Sequence, residues 1–569
     1  MLAPNAFQDT TKQTHFVQTP AIKNSWRFGE LSATELLPKL QQHLLAKDSN
    51  ANWQLVWLNN DGHPVIGLLP KVSWSVYPAH NQTSHTQPPT YKVIKHCRND
   101  ENAVTTAYMS YTKWQDELIV YSRAHEANNT ALNSLNTLYE KPNYHHGLVG
   151  FIGYDIAAHE LSPAAKIELA AQPCAVLGHY DIYLTQSVIN KAGWTLNTIK
   201  SDVDSPLTNL AVAKLISYLD ALDLELSNIK TIAQVIHCQL TPLILNAQWH
   251  KRDYYNAFRK TQDYLQQGDC YQINLTQAWQ GCLHKLDGSY DNNSSMTSLI
   301  DYLPALYQNT QAPFAGYLGA HNHLDDEKPE HLVANNHTKS VKELNNSPLS
   351  FEILSCSPEL FFTFINSTAT GSHHIITKPI KGTRPRGSTD KQDLMLKQQL
   401  IDSDKDRAEN VMIVDLLRND LGKYAKTGSV KVPHLFAIES FSNVHHMVST
   451  ITAELRVETH PLAVLFGSLP AGSITGTPKK RAVEIISELE TAPRGAYCGT
   501  MGYMNFDGSG QWNVLIRTLQ ANNLANTETE VSLWAGGGIT VASDLEEEYQ
   551  ECLDKVGNLL NVLNQSDII

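Results

Sequence analysis

The residues best suited to chemistry lie in and around residues 379–387, which read Pro-Ile-Lys-Gly-Thr-Arg-Pro-Arg-Gly. The two glycines and two prolines of this segment predict a shaped loop that continues neither a helix nor an inner strand. A loop that displays Lys381, Arg384 and Arg386 favours an anion site, although basic side chains on a turn are often merely solvated. Glu359 lies upstream in Ser-Pro-Glu-Leu, and further Gly-, Glu- and Arg-bearing motifs follow, which favours a functional site.

A second group of acids lies near the C-terminus, after the Ala-Gly-Gly-Gly of residues 535–538. Ser543 and Glu546 predict a capping box at the start of a helix. Glu548 and Glu551 are three residues apart in this helix, so their carboxylates share one face. Acids are common in the first turn of any helix, but that preference does not explain Glu551, about two turns in.

Two predicted helices would position several of these groups. Residues 249–267 have amphipathic spacing, Gly268 is placed to end the helix, and a short strand containing Gln272 follows. Residues 403–421 predict a second helix, which carries Glu409. The apolar side expected for this second helix consists of Ala408, Val411, Met412, Leu416 and Leu417.

The composition is that of an ordinary globular protein, with 42% hydrophobic and 18% charged residues among 569. A net charge of −13 argues against a nucleic-acid-binding protein, which needs excess Lys and Arg. No apolar stretch approaches the length of a membrane span and no leader pattern begins the chain, so a cytoplasmic protein without a membrane partner is expected. The eight cysteines contain no Cys-x-x-Cys pair, which predicts reduced, mostly buried thiols.

Several motifs, taken together and in order, resemble those of the chorismate-utilising enzymes. They are Ser-Pro-Glu at 357–359, the Lys381 loop, 415–422, 444–449, 470–476 and Ala-Gly-Gly-Gly followed by Glu-x-x-Glu. The resemblance is strong from about residue 245 onward, fair at 147–155 and weak elsewhere in the N-terminal half. It implies an α/β fold with two large, mainly antiparallel sheets packed as a sandwich and flanked by helices. It also implies an N-terminal domain over 1–244 and a chorismate-binding catalytic domain over 245–569, with a polar insertion at about 320–349.

Two positions distinguish the branches of that family. Lys381 stands where anthranilate-forming members are expected to have Ala, and Gln272 stands where isochorismate- and salicylate-forming members have a water-activating Lys. The pair implies the branch that replaces the 4-hydroxyl of chorismate with an amino group, on the route to 4-aminobenzoate and folate. The alternatives are the anthranilate-forming branch, which eliminates pyruvate, and a non-catalytic regulatory subunit.

The resemblance also implies roles for individual residues. Glu359 would protonate the leaving hydroxyl, and Lys381 would attack C2 to form an adduct that ammonia displaces at C4. Only about one lysine amine in 10³ is neutral at pH 7, so the site must lower the pKa of Lys381. The positions that match the family's substrate site are Gln272, Gly382, Thr383, His446, Thr475, Tyr503, Arg517, Gly536, Gly537, Gly538 and Lys555. Arg384 and Arg386 are expected to shape the loop.

The cofactor and the partner are likewise implied by the resemblance. Mg²⁺ would bind Glu409 and Glu551, directly or through water, with Glu548 close by, and would bridge to the ring carboxylate of chorismate. A glutaminase needs a Gly-x-Cys-x-Gly turn, and Gly-Ala-Tyr-Cys-Gly at 495–499 lacks that spacing. Ammonia would therefore come from a separate glutamine amidotransferase subunit, or from solution in its absence. Relatives often bind tryptophan near a Ser for which this chain has Asn59, so the resemblance leaves tryptophan binding open.

Overall fold

Two antiparallel sheets of 12 strands each form the frame of the protein. The computed structural model describes residues 25–48, 53–79, 90–98, 103–126, 142–186, 193–199, 206–229, 241–283, 298–320, 351–367, 371–441, 444–523 and 529–565. Within them the helices are α1 (Ala33–Lys47), α2 (Tyr111–Glu126), α3 (Tyr154–Leu161), α4 (Pro206–Ile229), α5 (Lys251–Gln266), α6 (Leu303–Thr310), α7 (Asp390–Ile401), α8 (Asp404–Gly422), α9 (Pro461–Ser468), α10 (Lys479–Leu489) and α11 (Leu545–Leu563).

The strands are numbered along the chain. The first twelve are β1 (Ser25–Trp26), β2 (Val56–Leu58), β3 (Val65–Gly67), β4 (Val72–Pro78), β5 (Tyr91–Cys97), β6 (Val104–Met109), β7 (Gly147–Ile152), β8 (Ala175–His179), β9 (Ile182–Gln186), β10 (Trp194–Thr198), β11 (Asn246–Ala247) and β12 (Gln272–Leu283). The others are β13 (Gly316–Ala320), β14 (Phe351–Ser355), β15 (Leu360–Ser367), β16 (Ser372–Lys378), β17 (Ile380–Pro385), β18 (Lys431–Ser440), β19 (Val444–Glu454), β20 (Gly476–Thr477), β21 (Thr500–Asn505), β22 (Gly510–Asn513), β23 (Thr518–Asn522) and β24 (Thr529–Ile539).

Both sheets combine strands from distant parts of the chain. The first has the order β1-β10-β9-β3-β2-β13-β14-β23-β24-β12-β11, with β20 also paired to β12. The second has the order β17-β19-β16-β15-β22-β21-β7-β8-β4-β5-β6, with β18 also paired to β19. Each sheet therefore contains strands from both sides of residue 244, and the division of the chain at 244/245 stays a prediction. The predicted insertion at 320–349 lies outside the described residues beyond Ala320, the last residue of β13.

The two sheets pack face to face around an apolar layer, which confirms the predicted sandwich. Val56 and Ile353 of the first sheet share this layer with Val149 and Met501 of the second. Helices α1, α4, α5, α6 and α11 share a second apolar cluster with the first sheet. Helices α2, α3, α8 and α9 share a third cluster with the second sheet. Strand β7 is apolar throughout because successive side chains alternate between the sandwich interior and the helix layer.

Several local predictions are confirmed. Helix α5 forms within the predicted 249–267 segment and is followed by Gly268, whose φ of 82° is one that glycine adopts readily. Helix α11 buries the predicted Cys552, Val556 and Leu559. Seven of the eight cysteines lie in the described part of the chain, and all seven are free thiols, five of them buried. In the same part of the chain, no helix has the length and apolarity that crossing a membrane requires.

The prediction of a loop around Lys381 is wrong, because residues 380–385 form the edge strand β17. The strand pairs with β19 on one side only, and its register shifts between Ile380 and Thr383. Gly382 lies in this irregular step with a φ of 77°. An edge strand tolerates Pro385 and a bulge because one of its sides makes no ladder hydrogen bonds.

Two further local predictions differ from the structure. Helix α8 buries the predicted Leu417, but its inward face is shifted, since Val411 is 47% exposed whereas Asn410 and Ile413 are buried. Asn410 accepts a hydrogen bond from Ser449, so a polar pair helps to set the inward face. The cap of α11 is Asp544, whose side chain accepts from the amides of residues 546 and 547, and Ser543 instead donates to Glu548.

Candidate active site

Lys381 lies where β17, β12, β24 and α8 approach one another. Its Nζ is 3.9 Å from Oε2 of Glu409, and the two side chains are 15% and 14% exposed. A methyl group on Gly538 would lie 3.4 Å from Lys381 Nζ and 2.4 Å from Gln272 Nε2. Lys381 and Gln272, from two separate segments, therefore meet beside the bare backbone of Gly538.

The amide of Gln272 has no hydrogen-bond partner within the described part of the chain. Gln272 is fully buried at the start of β12, and both its Nε2 and Oε1 are unsatisfied. Leaving a buried amide unpaired costs about 1–3 kcal/mol. A polar ligand beside Lys381 would remove that cost, which makes Gln272 a candidate ligand contact.

Glu359 is a buried carboxyl near the same point. Burial raises its pKa to about 7, opposed by the charge of Lys381, a hydrogen bond from Ser473 and the charge of Lys555. The Ser473 hydroxyl donates to Oε1 of Glu359 at 3.1 Å. A carboxyl that is about half protonated at neutral pH is suited to donate a proton to a leaving group.

Each of the three predicted metal-binding acids forms an ion pair with a lysine. Glu409 pairs with Lys381, Glu548 Oε1 lies 3.0 Å from Lys405 Nζ, and Glu551 Oε1 lies 2.7 Å from Lys555 Nζ. The described residues contain no group of three His, Cys, Asp or Glu side chains that could hold a metal ion as they stand. The three acids offer carboxylate oxygens, which are hard ligands that suit Mg²⁺. In this arrangement, however, each carboxylate is paired with a lysine.

The pKa shifts of two of these acids reflect the charged groups around them. Burial raises the pKa of Glu409, opposed by Lys381 and Lys405 and reinforced by Glu548 and Glu551. Burial would also raise the pKa of Glu551, but Lys555, Lys381 and Lys405 outweigh it and the net shift is downward.

The three glycines of β24 let the acids and lysines approach the strand. Gly536, Gly537 and Gly538 pair with Thr276, Leu275 and Asn274 of β12. A methyl group on Gly537 would lie 2.8 Å from Glu548 Oε2, and Lys555 Nζ donates to the Gly536 carbonyl at 2.8 Å. A side chain at Gly537 or Gly538 would fill the space that Glu548, Gln272 and Lys381 use, and one at Gly536 would collide with the backbone of β12.

Thr383 and His446 connect β17 to β19. They face each other in the register, and the Thr383 hydroxyl lies 2.8 Å from His446 Nδ1. Burial lowers the pKa of His446 to about 4, assisted by the positive charge of Arg517, so the imidazole is neutral at pH 7. Gly382 lies beside this pair, and its bare Cα leaves room for Asp406 and Leu400.

Arg517 and Thr475 are two further predicted site residues, of which Arg517 is half-buried and Thr475 is fully buried. Burial lowers the pKa of Arg517, opposed by Tyr497, Cys356 and Glu551. Thr475 is fully buried, and its hydroxyl donates to the Ala471 carbonyl at 2.8 Å. Both residues are predicted substrate contacts and stay so.

Tyr503 is the predicted site residue that the structure places elsewhere. Its ring lies in the apolar layer between the sheets, and its hydroxyl donates to the backbone of Pro142. Period-two alternation in β21 puts Tyr503 on the same face as Met501, inside the sandwich. Tyr497, which sequence reasoning missed, is instead the tyrosine near Arg517, and burial keeps its pKa well above the ordinary value.

Sequence reasoning also missed Ser473 and Lys405. Ser473 belongs to the small-residue loop before α10, but nothing in that loop indicates a contact with Glu359, 114 residues away. Lys405 is four residues before Glu409 in α8, and this helical spacing was a usable signal. The expected loop-shaping role of Arg384 and Arg386 agrees with their contacts, because they bind Asp406 and Asp393, respectively.

Comparison with known proteins identifies the family. Residues 90–561 match the family described as chorismate binding enzyme. Over 422 residues, 73% of this chain, the sequence is 37% identical to aminodeoxychorismate synthase component 1 of Salmonella typhimurium, and 76% of that protein is covered. Over 313 residues, 55% of this chain, it is 31% identical to anthranilate synthase component 1 of Aquifex aeolicus, and 53% of that protein is covered.

A solved structure supports the fold. The crystal structure of anthranilate synthase component I from Streptococcus pneumoniae TIGR4 is similar, with a TM-score of 0.58 and 20% sequence identity. The similarity covers 87% of this chain and 91% of that one. With the family match spanning most of the sequence, the chain belongs to the family of chorismate-binding enzymes.

Proposed function

We propose that this chain is an aminodeoxychorismate synthase component 1, which converts chorismate and ammonia to 4-amino-4-deoxychorismate for the synthesis of 4-aminobenzoate and folate. The observation that carries the proposal is the meeting of Lys381 Nζ with the unsatisfied Gln272 amide over Gly538. The relatives support it, since identity is 37% with the Salmonella typhimurium enzyme of that name and 31% with the Aquifex aeolicus anthranilate synthase component 1.

The first chemical step joins chorismate to the protein. Neutral Lys381 Nζ attacks C2, the ring double bonds shift, and the bond from C4 to its hydroxyl oxygen breaks. Glu359 gives its proton to that oxygen, so the group leaves as water. Protonated Glu359 is available near neutral pH because burial raises its pKa to about 7.

The second step releases the product. Ammonia attacks C4, the ring double bonds shift back and the bond from C2 to Lys381 Nζ breaks, which returns the free lysine and keeps the enolpyruvyl ether. One proton of the incoming ammonia passes to Glu359 and restores its protonated carboxyl. His446 is neutral and half-buried beside Thr383, so it would contribute a hydrogen bond to the substrate rather than a charge. Arg517 and Lys555 would supply the cations that balance the two carboxylates of chorismate.

Mg²⁺ is part of the proposal. When bound, it would supply positive charge to the ring carboxylate of chorismate. Glu409, Glu548 and Glu551 would hold it, directly or through water, because carboxylate oxygens are the ligands that Mg²⁺ prefers. Lys405 and Lys555 would have to move from Glu548 and Glu551, their partners in this structure.

The nitrogen source is a separate glutamine amidotransferase subunit in this proposal. The chain has no Gly-x-Cys-x-Gly sequence in which a cysteine could act as a glutaminase nucleophile. Free ammonia would replace that subunit in vitro. We further propose that the protein acts in the cytoplasm, where its cysteines would stay reduced.

Mass-resolved product analysis tests the proposal. The purified chain is mixed with chorismate, Mg²⁺ and an ammonium salt at mildly alkaline pH. An aminated product that keeps the enolpyruvyl group is the expected result. Anthranilate with pyruvate would replace the proposal with the anthranilate-forming alternative, and binding of chorismate without any product would indicate a regulatory subunit.

A further inference from the structure

The Glu359 carboxyl has one hydrogen-bonding side chain among the described residues, Ser473. Ser473 Oγ lies 3.1 Å from Glu359 Oε1, and both residues are at least nine-tenths buried, with exposures of 7% and 6%. The two come from different segments, because Glu359 precedes β15 whereas Ser473 lies in a short turn before α10. Solvent therefore has little access to replace the serine as a donor.

The backbones of both partners are held in place. The Glu359 amide donates to Ser357 Oγ at 3.2 Å, and the Glu359 carbonyl accepts from the Val514 amide at 3.1 Å. The turn that carries Ser473 is held by the buried Arg494, whose guanidinium donates to the carbonyls of Ile474 and Asn274. Because the backbones of Glu359 and Ser473 are both fixed, their side chains meet in a single geometry.

We propose that Ser473 is a positioning residue for the acid Glu359, and that its hydroxyl selects the oxygen that carries the acidic proton. Because the hydroxyl hydrogen points at Oε1, that oxygen acts as an acceptor and the proton resides on Oε2. Ser473 thus orients the proton toward the reacting hydroxyl without contacting substrate. This inference rests on the proposed function, in which Glu359 is the proton donor.

The charges around Glu359 determine the sign of the effect. Lys381 of β17 and Lys555 of α11 act on the carboxyl, and Cys498 is a further titratable neighbour. A hydroxyl that donates to a carboxylate stabilises the charged form and lowers its pKa. Removal of the Ser473 hydroxyl should therefore raise the pKa of Glu359 by about one unit, while both lysines remain.

An infrared titration tests this directly and needs no turnover. The protonated-carboxyl band of Glu359 is isolated by subtracting the spectrum of Glu359→Gln, and its pKa is compared among variants. Ser473→Ala should titrate about one unit higher than the wild type. Ser473→Thr keeps a hydroxyl and should titrate as the wild type does, and Ser473→Cys, a weaker donor of similar size, should fall between them.

A matched control is Ser468→Ala. Ser468 is also buried, but its hydroxyl has no partner within the described part of the chain, so its loss should leave the Glu359 titration unchanged. If Ser473→Ala lowers the melting temperature but leaves the Glu359 titration unchanged, Ser473 is merely structural and the inference is wrong.

Kinetics supply a second readout. The kcat with ammonia should fall about tenfold in Ser473→Ala with little change in KM for chorismate, because orientation of the proton matters only in the transition state. The ratio of variant to wild-type kcat is taken at each pH, so that the protonation of ammonia itself cancels. If the wild type forms no aminated product, the proposed function is wrong. The infrared titration would still show whether Ser473 controls the pKa of Glu359.

Discussion

Lys381 has one ionic and one neutral neighbour. Glu409 Oε2 lies 3.9 Å from its Nζ, whereas the unsatisfied Gln272 amide adds no charge. In the proposed mechanism Lys381 is the nucleophile that attacks chorismate.

Replacement of Lys381 is the first test at the residue scale. Lys381→Ala should lower amination by roughly 10³-fold or more, because the adduct of the proposed mechanism forms on its Nζ. The unfolding free energy should change little, since the lysine packs no core. The matched control is Lys378→Ala, which removes a partly exposed lysine that pairs with Glu439. Normal turnover by Lys381→Ala would remove the lysine from the nucleophile role.

Among the elements, α11 and the β24–β12 pair do the most to build the site. Glu548, Glu551 and Lys555 lie at helical positions i, i+3 and i+7, so one face of α11 presents all three. The glycines of β24 remove the side chains that would separate that face from Lys381 and Gln272. A charged helix face can approach a strand only where the strand is bare.

The acidic face of α11 predicts how magnesium dependence should change. Glu551→Gln should raise the Mg²⁺ concentration needed for half-maximal activity, because an amide oxygen is a weaker ligand than a carboxylate. Direct titration with Mg²⁺ by calorimetry should show the same loss of affinity. Glu547→Gln, in the exposed first turn of α11, is the control and should titrate as the wild type. Unchanged affinity in Glu551→Gln would make the metal assignment wrong.

The bare backbone at Gly538 supports another prediction. Gly538→Ala places a methyl group 2.4 Å from Gln272 Nε2, so the Gln272 side chain must shift, and 3.4 Å from Lys381 Nζ, which is van der Waals contact. The expected result is a kcat at least about tenfold lower, with a loss of unfolding free energy of about 1–3 kcal/mol. Gly557→Ala, in α11 with nothing within 4 Å, should be neutral or stabilising. Equal kcat values for the two variants would contradict the crowding argument.

In the molecule as a whole, the second sheet carries a buried pair of histidines remote in sequence from the candidate site. His146 Nε2 lies 2.9 Å from His179 Nε2, and the Tyr121 hydroxyl lies 2.7 Å from His179 Nδ1. Burial lowers the pKa of His146 to about 3, assisted by the charges of His125, His145 and Lys71. Burial also lowers the pKa of His179 well below its ordinary value.

This pair predicts a loss of stability in mild acid. The pKa of His146 is about 6.5 in the unfolded chain and about 3 in the folded protein. Below pH 6.5 the unfolded chain therefore binds a proton that the folded protein does not, so the unfolding free energy falls as the pH falls. One such histidine accounts for about 1.4 kcal/mol between pH 7.5 and pH 5.5. His146→Gln should lose that much less over this range in urea unfolding, whereas the exposed control His63→Gln should follow the wild type. Identical pH dependence in all three proteins would contradict the prediction.

Much of the protein could be predicted from its sequence because the relevant signals are local. The 3.6-residue period and Gly268 place α5, the stripe at Cys552, Val556 and Leu559 places α11, and the ordered motifs indicate the family and its two-sheet fold. The residue types at Lys381 and Gln272 predict the amino-transferring chemistry that we propose for the site. These properties depend on spacing and side-chain chemistry, which the sequence states directly.

Only the tertiary structure decided how distant segments meet. The segment predicted as a loop forms strand β17 because it pairs with β19. The alternation of side chains along β21 places Tyr503 inside the sandwich, whereas Tyr497 lies near Arg517. The hydrogen bond from Ser473 to Glu359 and the lysine partners of the acids are likewise contacts between separate segments. Such contacts follow from strand register and burial over the whole chain, and local periodicity contains no information about either.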